Sequence, residues 1–303
     1  MIRKSKLARR QRGMHRRGFK RAVAVVALCL AAVFLAAGFF THACTKQPED
    51  ELTVRFLNVG QGDCALVSCE GHHVLIDGGP SDHAQTVYAV LEDLGIDYLD
   101  VVLITHTDSD HCGGIPAALQ YAEAGTCYCS TDSADTATWN KVLDALSKQD
   151  ISIEVPQDGY TFDLGEASIT ILGSAENFSS DNDGSLVCRI DFGRTSFLFT
   201  GDIEESREHS LLEENADLRA SVLKVSHHGS NHSTSAEFLE AVQPEYAVVS
   251  VGENDYGHPG TWTLERLSSS NAQVYRTDRD GHVVFTSDGN SLEVNTVKGR
   301  LAD

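Results

Sequence analysis

The stretch that decides the fold is THTDSDHCGG, which occupies residues 105–114. It follows an apolar run that predicts a strand over Val101–Thr105, and it leads into a helix predicted over Gly114–Ala124. Four side chains of metal-ligand type fall within six residues, namely His106, Asp108, Asp110 and His111. Imidazole and carboxylate groups suit zinc, manganese or iron. Because a strand end and a helix start bring neighbouring side chains to one point, we predict a metal site here.

Three later apolar runs are each followed by a His or an Asp. The predicted strands are Ser196–Thr200, Ser221–Val225 and Tyr246–Val251, and the residues beyond them are Asp202, His227 with His228, and His258. The ends of the strands in a sheet form a crevice in which ligands bind. Four such strand ends therefore predict one shared site. Structural alternatives stay open for Asp202 as a helix N-cap, for one of the two adjacent histidines, and for His258 as a turn residue.

Size and charge limit the class of protein. The chain has 303 residues and 41% apolar content, enough for one sizeable core or two small ones. Strand runs and single helices occur in two similar halves, which predicts two sheets packed face to face with helices outside. Ten of the 24 Lys and Arg precede residue 22 and none of the 44 Asp and Glu do, so the remainder has a net charge of −30. Such a charge disfavours non-specific DNA binding unless metal ions offset it.

The N-terminal residues divide into three segments before the predicted domain of residues 52–303. Residues 1–21 are basic, residues 22–40 have no charge, and residues 41–51 form a polar linker. About 20 apolar residues span a bilayer as a helix, so residues 22–40 predict a membrane anchor with the body outside the cytoplasm. A cleaved twin-arginine signal at Arg16-Arg17, or a lipoprotein cleavage box ending at Cys44, would instead give a secreted or lipidated protein.

The predicted domain contains six cysteines, which are Cys64, Cys69, Cys112, Cys127, Cys129 and Cys188. Outside the cytoplasm some of them could pair. Cys64 and Cys69 lie five residues apart on one predicted strand, so their side chains face opposite sides and should not pair with each other. We expect mostly buried thiols, with one disulfide as an open possibility.

A set of motifs spread from residue 52 to the C-terminus gives the chain its resemblance to a known family. The motifs are Asn58–Asp63, Leu75–Gly79, His106–Gly114, Asn182 with Ser185–Val187, Thr200–Asp202, Leu223–Val225, His227–Ser230, Gly257–Pro259, and Tyr275–Asp278 before Gly281. Together they resemble the metallo-β-lactamase superfamily, and within it the extracytoplasmic domain of bacterial competence DNA-uptake proteins. The resemblance implies an α/β fold, an αββα sandwich of the metallo-β-lactamase type, over residues 52–303. One N-terminal transmembrane or signal helix would precede this hydrolase domain.

The resemblance also implies a site with two divalent metal ions, zinc or manganese. His106 and Asp108 would bind one ion, and Asp110 and His111 the other. Asp202 would bridge the two ions. The resemblance implies two further contacts: His227, or His228 in its place, completes the second site, and His258 lines the pocket as a ligand or substrate contact. Catalytic roles are expected for Asp110, Asp202 and His258.

This chain departs from the superfamily pattern at the first metal. Asp108 stands where the superfamily has a second His, as in the competence-type branch. The superfamily also has a further His in the region where this chain shows Asn182 and Asp183. More oxygen ligands make manganese a candidate beside zinc. Asp77 is expected to orient a ligand His from behind rather than to bind metal.

The function implied is that of an exported or membrane-anchored metal-dependent hydrolase. A hydroxide held between two metal ions would be the nucleophile. We expect a phosphodiesterase that acts on a nucleic-acid strand or an envelope polymer. A lactonase or β-lactamase, and a non-enzymatic metal-stabilised binding module, are the alternatives. The expected partners are the phosphoester substrate and, through the N-terminal helix, the cytoplasmic membrane, with no stable protein partner evident.

Overall fold

The computed structural model describes residues 51–174, 180–214 and 216–301. All the described residues belong to one compact unit of the chain. None of the helices in the described ranges is both long enough and apolar enough to cross a bilayer. The basic segment 1–21, the predicted anchor 22–40 and the linker up to residue 50 lie outside the described residues.

The described ranges are rich in short strands. The strands in chain order are β1 Leu52–Phe56, β2 Ala65–Cys69, β3 His72–Ile76, β4 Tyr98–Ile104, β5 Glu123–Cys129, β6 Ile153–Glu154, β7 Thr161–Leu164, β8 Ala167–Gly173, β9 Val187–Phe192, β10 Thr195–Phe199, β11 Val222–Lys224, β12 Tyr246–Val249, β13 Gln273–Arg276, β14 His282–Ser287 and β15 Leu292–Val297. The helices are α1 Ala84–Leu94, α2 Ser109–Cys112, α3 Ile115–Tyr121, α4 Ala137–Ser147, α5 Glu205–Glu213, α6 Ala236–Val242, α7 Thr261–Ser269 and α8 Thr277–Asp280, with 3₁₀ turns at Ser81–His83 and Ser226–Gly229.

These strands form two sheets. The first has the order β15-β14-β1-β2-β3-β4-β5-β6 and the second the order β13-β12-β11-β10-β9-β8-β7. One apolar core lies between the sheets, a second joins α1, α3 and α4 to the first sheet, and a third joins α5, α6 and α7 to the second sheet. The predicted αββα sandwich is therefore confirmed.

Strand β4 shows why the run before THTDSDHCGG is continuously apolar. Val101 and Leu103 belong to the core between the sheets, whereas Val102 and Ile104 belong to the core beneath the helices. Successive strand residues point to opposite faces, so a strand covered on both sides needs apolar residues at every position. The strand pairs in parallel with β3 and β5, and its carboxyl end delivers His106 to one edge of the sheet.

The structure differs from the sequence prediction at strand β5. The predicted helix extended to Ala124. That helix ends at Tyr121, and Glu123–Cys129 pairs in parallel with β4. Cys127 and Cys129 face the core beneath the helices, while Tyr128 faces the core between the sheets. The helix prediction was wrong here because small residues such as Ala and Gly have no strand periodicity of their own. Pairing with β4 decides their conformation.

The six cysteines of the described residues are all free and buried. No disulfide forms among these residues, so the expectation of mostly buried thiols is confirmed and the possible disulfide is not seen. Burial raises the pKa of the Cys112 thiol to about 12. A buried thiol with a raised pKa is a weak nucleophile, which suits a packing role.

Candidate metal centre

The candidate site lies where strands of both sheets end. Asp77 follows β3, His106 follows β4, Asp202 comes three residues after β10, and His228 comes four residues after β11. Strands β3 and β4 are parallel, as are β10, β11 and β12. Within each sheet, the carboxyl ends of these strands therefore share an edge. The side chains that follow them meet there, although they come from distant parts of the sequence.

The centre of the site is a buried cluster of two histidines and two aspartates. Asp63, His111, Asp202 and His228 each offer a ligand atom, and these atoms lie within 4.8 Å of one another. Asp202 contacts both imidazoles, with Oδ1 3.2 Å from His111 Nε2 and Oδ2 3.4 Å from His228 Nε2. Asp110 Oδ2 lies 3.2 Å from the same His228 Nε2. The structure thus brings together four residues predicted from the sequence, Asp110, His111, Asp202 and one of the His pair.

His106 and Asp108 form the neighbouring part of the site. His106 Nε2 lies 3.7 Å from Asp108 Oδ2, and the His106 ring lies 4.1 Å from the His111 ring between centroids. The His106 side chain is buried, whereas the Asp108 side chain is 48% exposed. This side of the cluster therefore opens to solvent through Asp108, as a site that admits a substrate requires.

Contacts from behind orient the three buried imidazoles. His111 Nδ1 lies 2.9 Å from Asp77 Oδ2, and His228 Nδ1 lies 3.0 Å from the carbonyl oxygen of Ser250. His106 Nδ1 contacts the hydroxyl groups of Thr105 and Ser185 at 3.2 Å and 3.3 Å. When Nδ1 carries the proton and donates it, the lone pair of Nε2 points into the cluster. The contact of Asp77 is the geometry that its expected orienting role requires.

Asp63 belongs to the cluster by distance but faces the rear of it. Its Oδ1 lies 3.3 Å from His228 Nδ1, and its Oδ2 lies 2.5 Å from Lys224 Nζ. Burial alone would raise the pKa of Asp63, but the charge of Lys224 and the hydrogen bond from His228 lower it to about 2. Because Asp63 contacts Nδ1 and not Nε2, we interpret it as a residue that orients His228. Sequence analysis named Asp63 within a motif but gave it no role.

The two adjacent histidines point in different directions. Both adopt positive φ, 48° for His227 and 51° for His228, so the backbone turns sharply between the strand and Gly229. His228 is buried in the cluster, whereas His227 lies at its rim with Nδ1 3.3 Å from Glu204 Oε1. His227 Nε2 still lies 3.7 Å from Asp202 Oδ2. The structure therefore assigns the cluster position to His228, the substitute that sequence analysis left open.

His258 lies beside this pair, at the rim of the site. Its ring centroid is 5.3 Å from that of His227 and 6.4 Å from that of His228. Burial lowers the pKa of His258 to about 4, with further lowering from the nearby His227 and His228. Its position fits the substrate contact expected from the sequence, and the structure shows no carboxylate within ion-pair distance of it in the described ranges.

The charged groups of the cluster shift one another's pKa values. Burial lowers the pKa of His111 and of His228, but the carboxylates around them, Asp202 foremost, together outweigh burial and raise both well above the ordinary value. Burial would raise the pKa of Asp202, yet the two imidazoles hold it well below its ordinary value. Carboxylates that stay ionised in a buried site need a positive charge close by. A divalent cation bound by the imidazoles and carboxylates would supply that charge and leave Nε2 of each imidazole as a ligand.

The residues present fit a metal ion. In the described ranges, several buried ligand atoms have no hydrogen-bond partner, and they include His106 Nε2, His111 Nε2, Asp202 Oδ1 and His228 Nε2. An unpaired buried polar atom costs about 1–3 kcal/mol, so a group of them in one place indicates a missing partner. Imidazole nitrogen and carboxylate oxygen together suit divalent zinc, manganese or iron.

Comparison with known proteins agrees with this arrangement. The family model described as the Metallo-beta-lactamase superfamily matches residues 57–253. The chain belongs to this superfamily. The match begins just after β1 and includes every cluster residue. His258 lies beyond its end.

Two curated relatives of this superfamily member carry competence names. The chain is 29% identical over 278 residues to ComE operon protein 3 of Bacillus subtilis (strain 168), covering 85% of this chain and 35% of that protein. It is 33% identical over 263 residues to Competence protein ComA of Neisseria gonorrhoeae, covering 84% of this chain and 35% of that protein. The chain therefore spans about a third of the length of these relatives.

Solved structures show the same fold at low identity. The metallo-beta-lactamase fold protein YhfI from Bacillus subtilis has a TM-score of 0.54 and 12% identity, covering 78% of this chain and 100% of that chain. CmlA, a diiron beta-hydroxylase from Streptomyces venezuelae, has a TM-score of 0.52 and 14% identity, covering 83% of this chain and 55% of that chain. These similarities support the fold and say nothing about the reaction.

Asn182 and Asp183 stand in the region where the superfamily has a further His. The Asp183 side chain makes its hydrogen bonds at the start of α5. Asp183 accepts a hydrogen bond from the backbone nitrogen of Glu204 at 2.8 Å and another from the Ser206 hydroxyl, at the start of α5. Ser185 supports the site instead, since its hydroxyl accepts a hydrogen bond from the backbone nitrogen of Asp202 at 3.1 Å. The one signal for this role in the sequence is the position of Ser185 in a matching motif.

Proposed function

We propose that this protein is a metal-dependent hydrolase that cleaves phosphodiesters. The observation that carries the proposal is the convergence of His111 Nε2 and His228 Nε2 on the carboxylates of Asp110 and Asp202. The unpaired His106 Nε2 lies next to this group, beside Asp108. Bound divalent ions would supply Lewis-acid charge and a water that is acidic near neutral pH. The partly exposed Asp108 gives an anionic substrate a route to this charge.

We propose that the site holds two ions, because its donors fall into two groups around Asp202. Asp110, His111 and His228 would hold one ion, and His106 with Asp108 the other. Asp202 has both of its oxygens directed into the cluster, next to His111 Nε2 and His228 Nε2, and we propose that it also contacts the second ion. Oxygen donors from three aspartates make manganese a better match than a site with histidines alone would.

The chain's own residues would also fix the substrate. Asp77 and Ser250 hold His111 and His228 in orientation, so the site needs little rearrangement when the substrate arrives. His258 has a buried Nδ1 without a hydrogen-bond partner in the described part of the chain, and it lies at the rim. We propose that His258 contacts a phosphoester oxygen from this position.

A panel of substrates tests the proposed reaction. The full-length protein would be stripped of metal by a chelator, reloaded with Mn²⁺ or Zn²⁺, and given bis-p-nitrophenyl phosphate, nitrocefin and a set of lactones. We expect turnover of the phosphodiester, loss of turnover in Asp202→Asn, and retention in Asp144→Asn, whose side chain is 68% exposed on α4. Turnover of only the lactones or nitrocefin, or of nothing with any divalent metal, would reject the proposal.

We propose further that residues 22–40 anchor this domain outside the cytoplasmic membrane. The support is the uncharged run itself and the ten basic residues before it, which favour a cytoplasmic N-terminus. Carbonate extraction of membranes followed by protease treatment of intact spheroplasts tests it. A membrane-retained protein that external protease digests is expected. A chain that stays in the soluble cell fraction, or that protease cannot reach, contradicts the proposal.

A further inference from the structure

The segment that carries His258 also carries the two most exposed large apolar side chains of the described ranges. Tyr256 is 77% exposed and Trp262 is 62% exposed, above Val155 at 49% and Tyr98 at 47%. A single exposed aromatic residue is ordinary on a protein surface. An exposed ring held rigidly beside a candidate catalytic centre is a different case, and Tyr256 meets both conditions.

Asn254 holds the loop that presents Tyr256. Its Oδ1 accepts hydrogen bonds from the backbone nitrogens of Tyr256 and His258 at 3.1 Å and 3.0 Å. Its Nδ2 donates to the carbonyl oxygens of Gly252 and His258, both at 2.9 Å. Four bonds from one side chain fix the backbone on either side of Tyr256. A loop whose backbone is already in place loses little conformational freedom when a ligand packs on the ring that it carries.

The ring of Tyr256 connects to the buried cluster through one other ring. Its centroid lies 5.8 Å from that of His258, with 32° between the planes, and His258 lies 6.4 Å from His228, with 33° between the planes. His228 is the cluster histidine, so Tyr256 lies two ring-to-ring steps from the proposed metal centre. In a nucleotide, the sugar separates the phosphate from the base in the same way that His258 separates the cluster from Tyr256.

The charge of the domain makes such a contact useful. Residues 22–303 have a net charge of −30, so long-range attraction contributes little to the binding of a polyanionic strand. Stacking of a base on an aromatic ring needs no positive charge and contributes about 1–3 kcal/mol per base. A base-free polyol phosphate has no flat face and gains no such contact. The exposed ring of Tyr256 therefore favours a phosphodiester that carries planar rings.

We propose that Tyr256 is a stacking subsite for a planar heteroaromatic ring, a nucleobase, next to the phosphodiester that the metal centre cleaves. This inference rests on the proposed phosphodiesterase function and assigns the substrate preference of that site to one residue. Tyr256 acts through the face of its ring, so Phe should replace it and Ala should not.

Matched oligonucleotides test the proposal. The metal-loaded full-length protein would be given a short thymidine strand and the same strand with abasic tetrahydrofuran sites, and both kcat/KM and equilibrium binding would be measured. We expect the wild type to favour the base-bearing strand by about tenfold or more, mainly through KM. The preference should persist in Tyr256→Phe and fall to near unity in Tyr256→Ala. Tyr98→Ala, at the amino end of β4, is the matched control and should keep it.

The outcomes separate this inference from the function on which it rests. If the wild type cleaves and binds the two strands equally well, or if the preference survives in Tyr256→Ala, the proposed subsite is wrong. The proposal of phosphodiester cleavage is not affected by either result. If no strand is cleaved, the proposed function fails, and the binding measurement still decides whether Tyr256 favours the base-bearing strand. Loss of binding to lipid vesicles in Tyr256→Ala, without a change in strand preference, would assign the ring to a membrane surface and also overturn the proposal.

Discussion

Replacement of Asp77 by Asn tests whether the cluster is held in place from behind. Asp77 is 1% exposed and accepts three hydrogen bonds, from Thr105 N at 2.8 Å, Thr105 Oγ1 at 2.7 Å and His111 Nδ1 at 2.9 Å. Asn offers one oxygen in place of two, and its NH₂ group would face donors that now have no acceptor. The Thr105 hydroxyl can rotate away, but the backbone nitrogen and the imidazole cannot both keep their bonds.

The expected size of the effect follows from these contacts. Each buried donor left unsatisfied costs about 1–3 kcal/mol, so Asp77→Asn should lower the free energy of unfolding by about 2–4 kcal/mol. Loss of a residue that orients a metal ligand lowers metal affinity by about 10–100-fold. Urea unfolding followed by circular dichroism measures the first effect, and calorimetric titration with Mn²⁺ measures the second.

A surface variant provides the control for this experiment. Asp144→Asn removes an exposed carboxylate that pairs with Lys148 at 2.6 Å, and it should change the free energy of unfolding by about 0.5 kcal/mol or less. If Asp77→Asn behaves like this control in both measurements, then the hydrogen bonds behind His111 do not hold the site. The preorganisation described above would then be wrong.

Three further predictions concern the cluster and the core. His228→Ala should lower Mn²⁺ affinity in a calorimetric titration by at least about tenfold, whereas His227→Ala should lower it less; equal losses would contradict the assignment of the cluster position to His228. Saturating Mn²⁺ at about 100 times its Kd should stabilise the wild type by about 2.7 kcal/mol for each bound ion in urea unfolding, and Asp202→Asn should abolish this gain. Phe285→Ala should lower the free energy of unfolding by about 3–5 kcal/mol, because the ring is buried and lies 5.4–6.2 Å from the rings of four aromatic neighbours. A loss below about 1 kcal/mol in the same assay would contradict this prediction and show that the neighbouring side chains fill the cavity.

The position of the site was predictable because its residues follow strand ends. Asp110 and His111 come after β4, and Asp202 comes after β10, so parallel pairing within each sheet places them at one edge. That inference needs only the apolar runs and the residue types that follow them. The sandwich of two sheets was predictable for a similar reason, since β4 is apolar at every position that two layers cover.

The choice between His227 and His228 was not predictable in the same way. Adjacent residues point in different directions, and which of them faces the cluster depends on the left-handed backbone at both positions. The role of Asp63 depends on its contacts with Lys224 and His228, which come from the other sheet and lie more than 150 residues away in the sequence. Strand β5 was missed because its pairing with β4, and not its own composition, determines its conformation.

Anomalous diffraction from crystals grown with Mn²⁺, collected on both sides of the manganese absorption edge, tests the central claim most directly. Two peaks per chain are expected beside the carboxylate of Asp202, one next to His111 Nε2 and His228 Nε2 and the other next to His106 Nε2. Crystals without an anomalous peak at this position, from protein that retains its fold, would contradict the account.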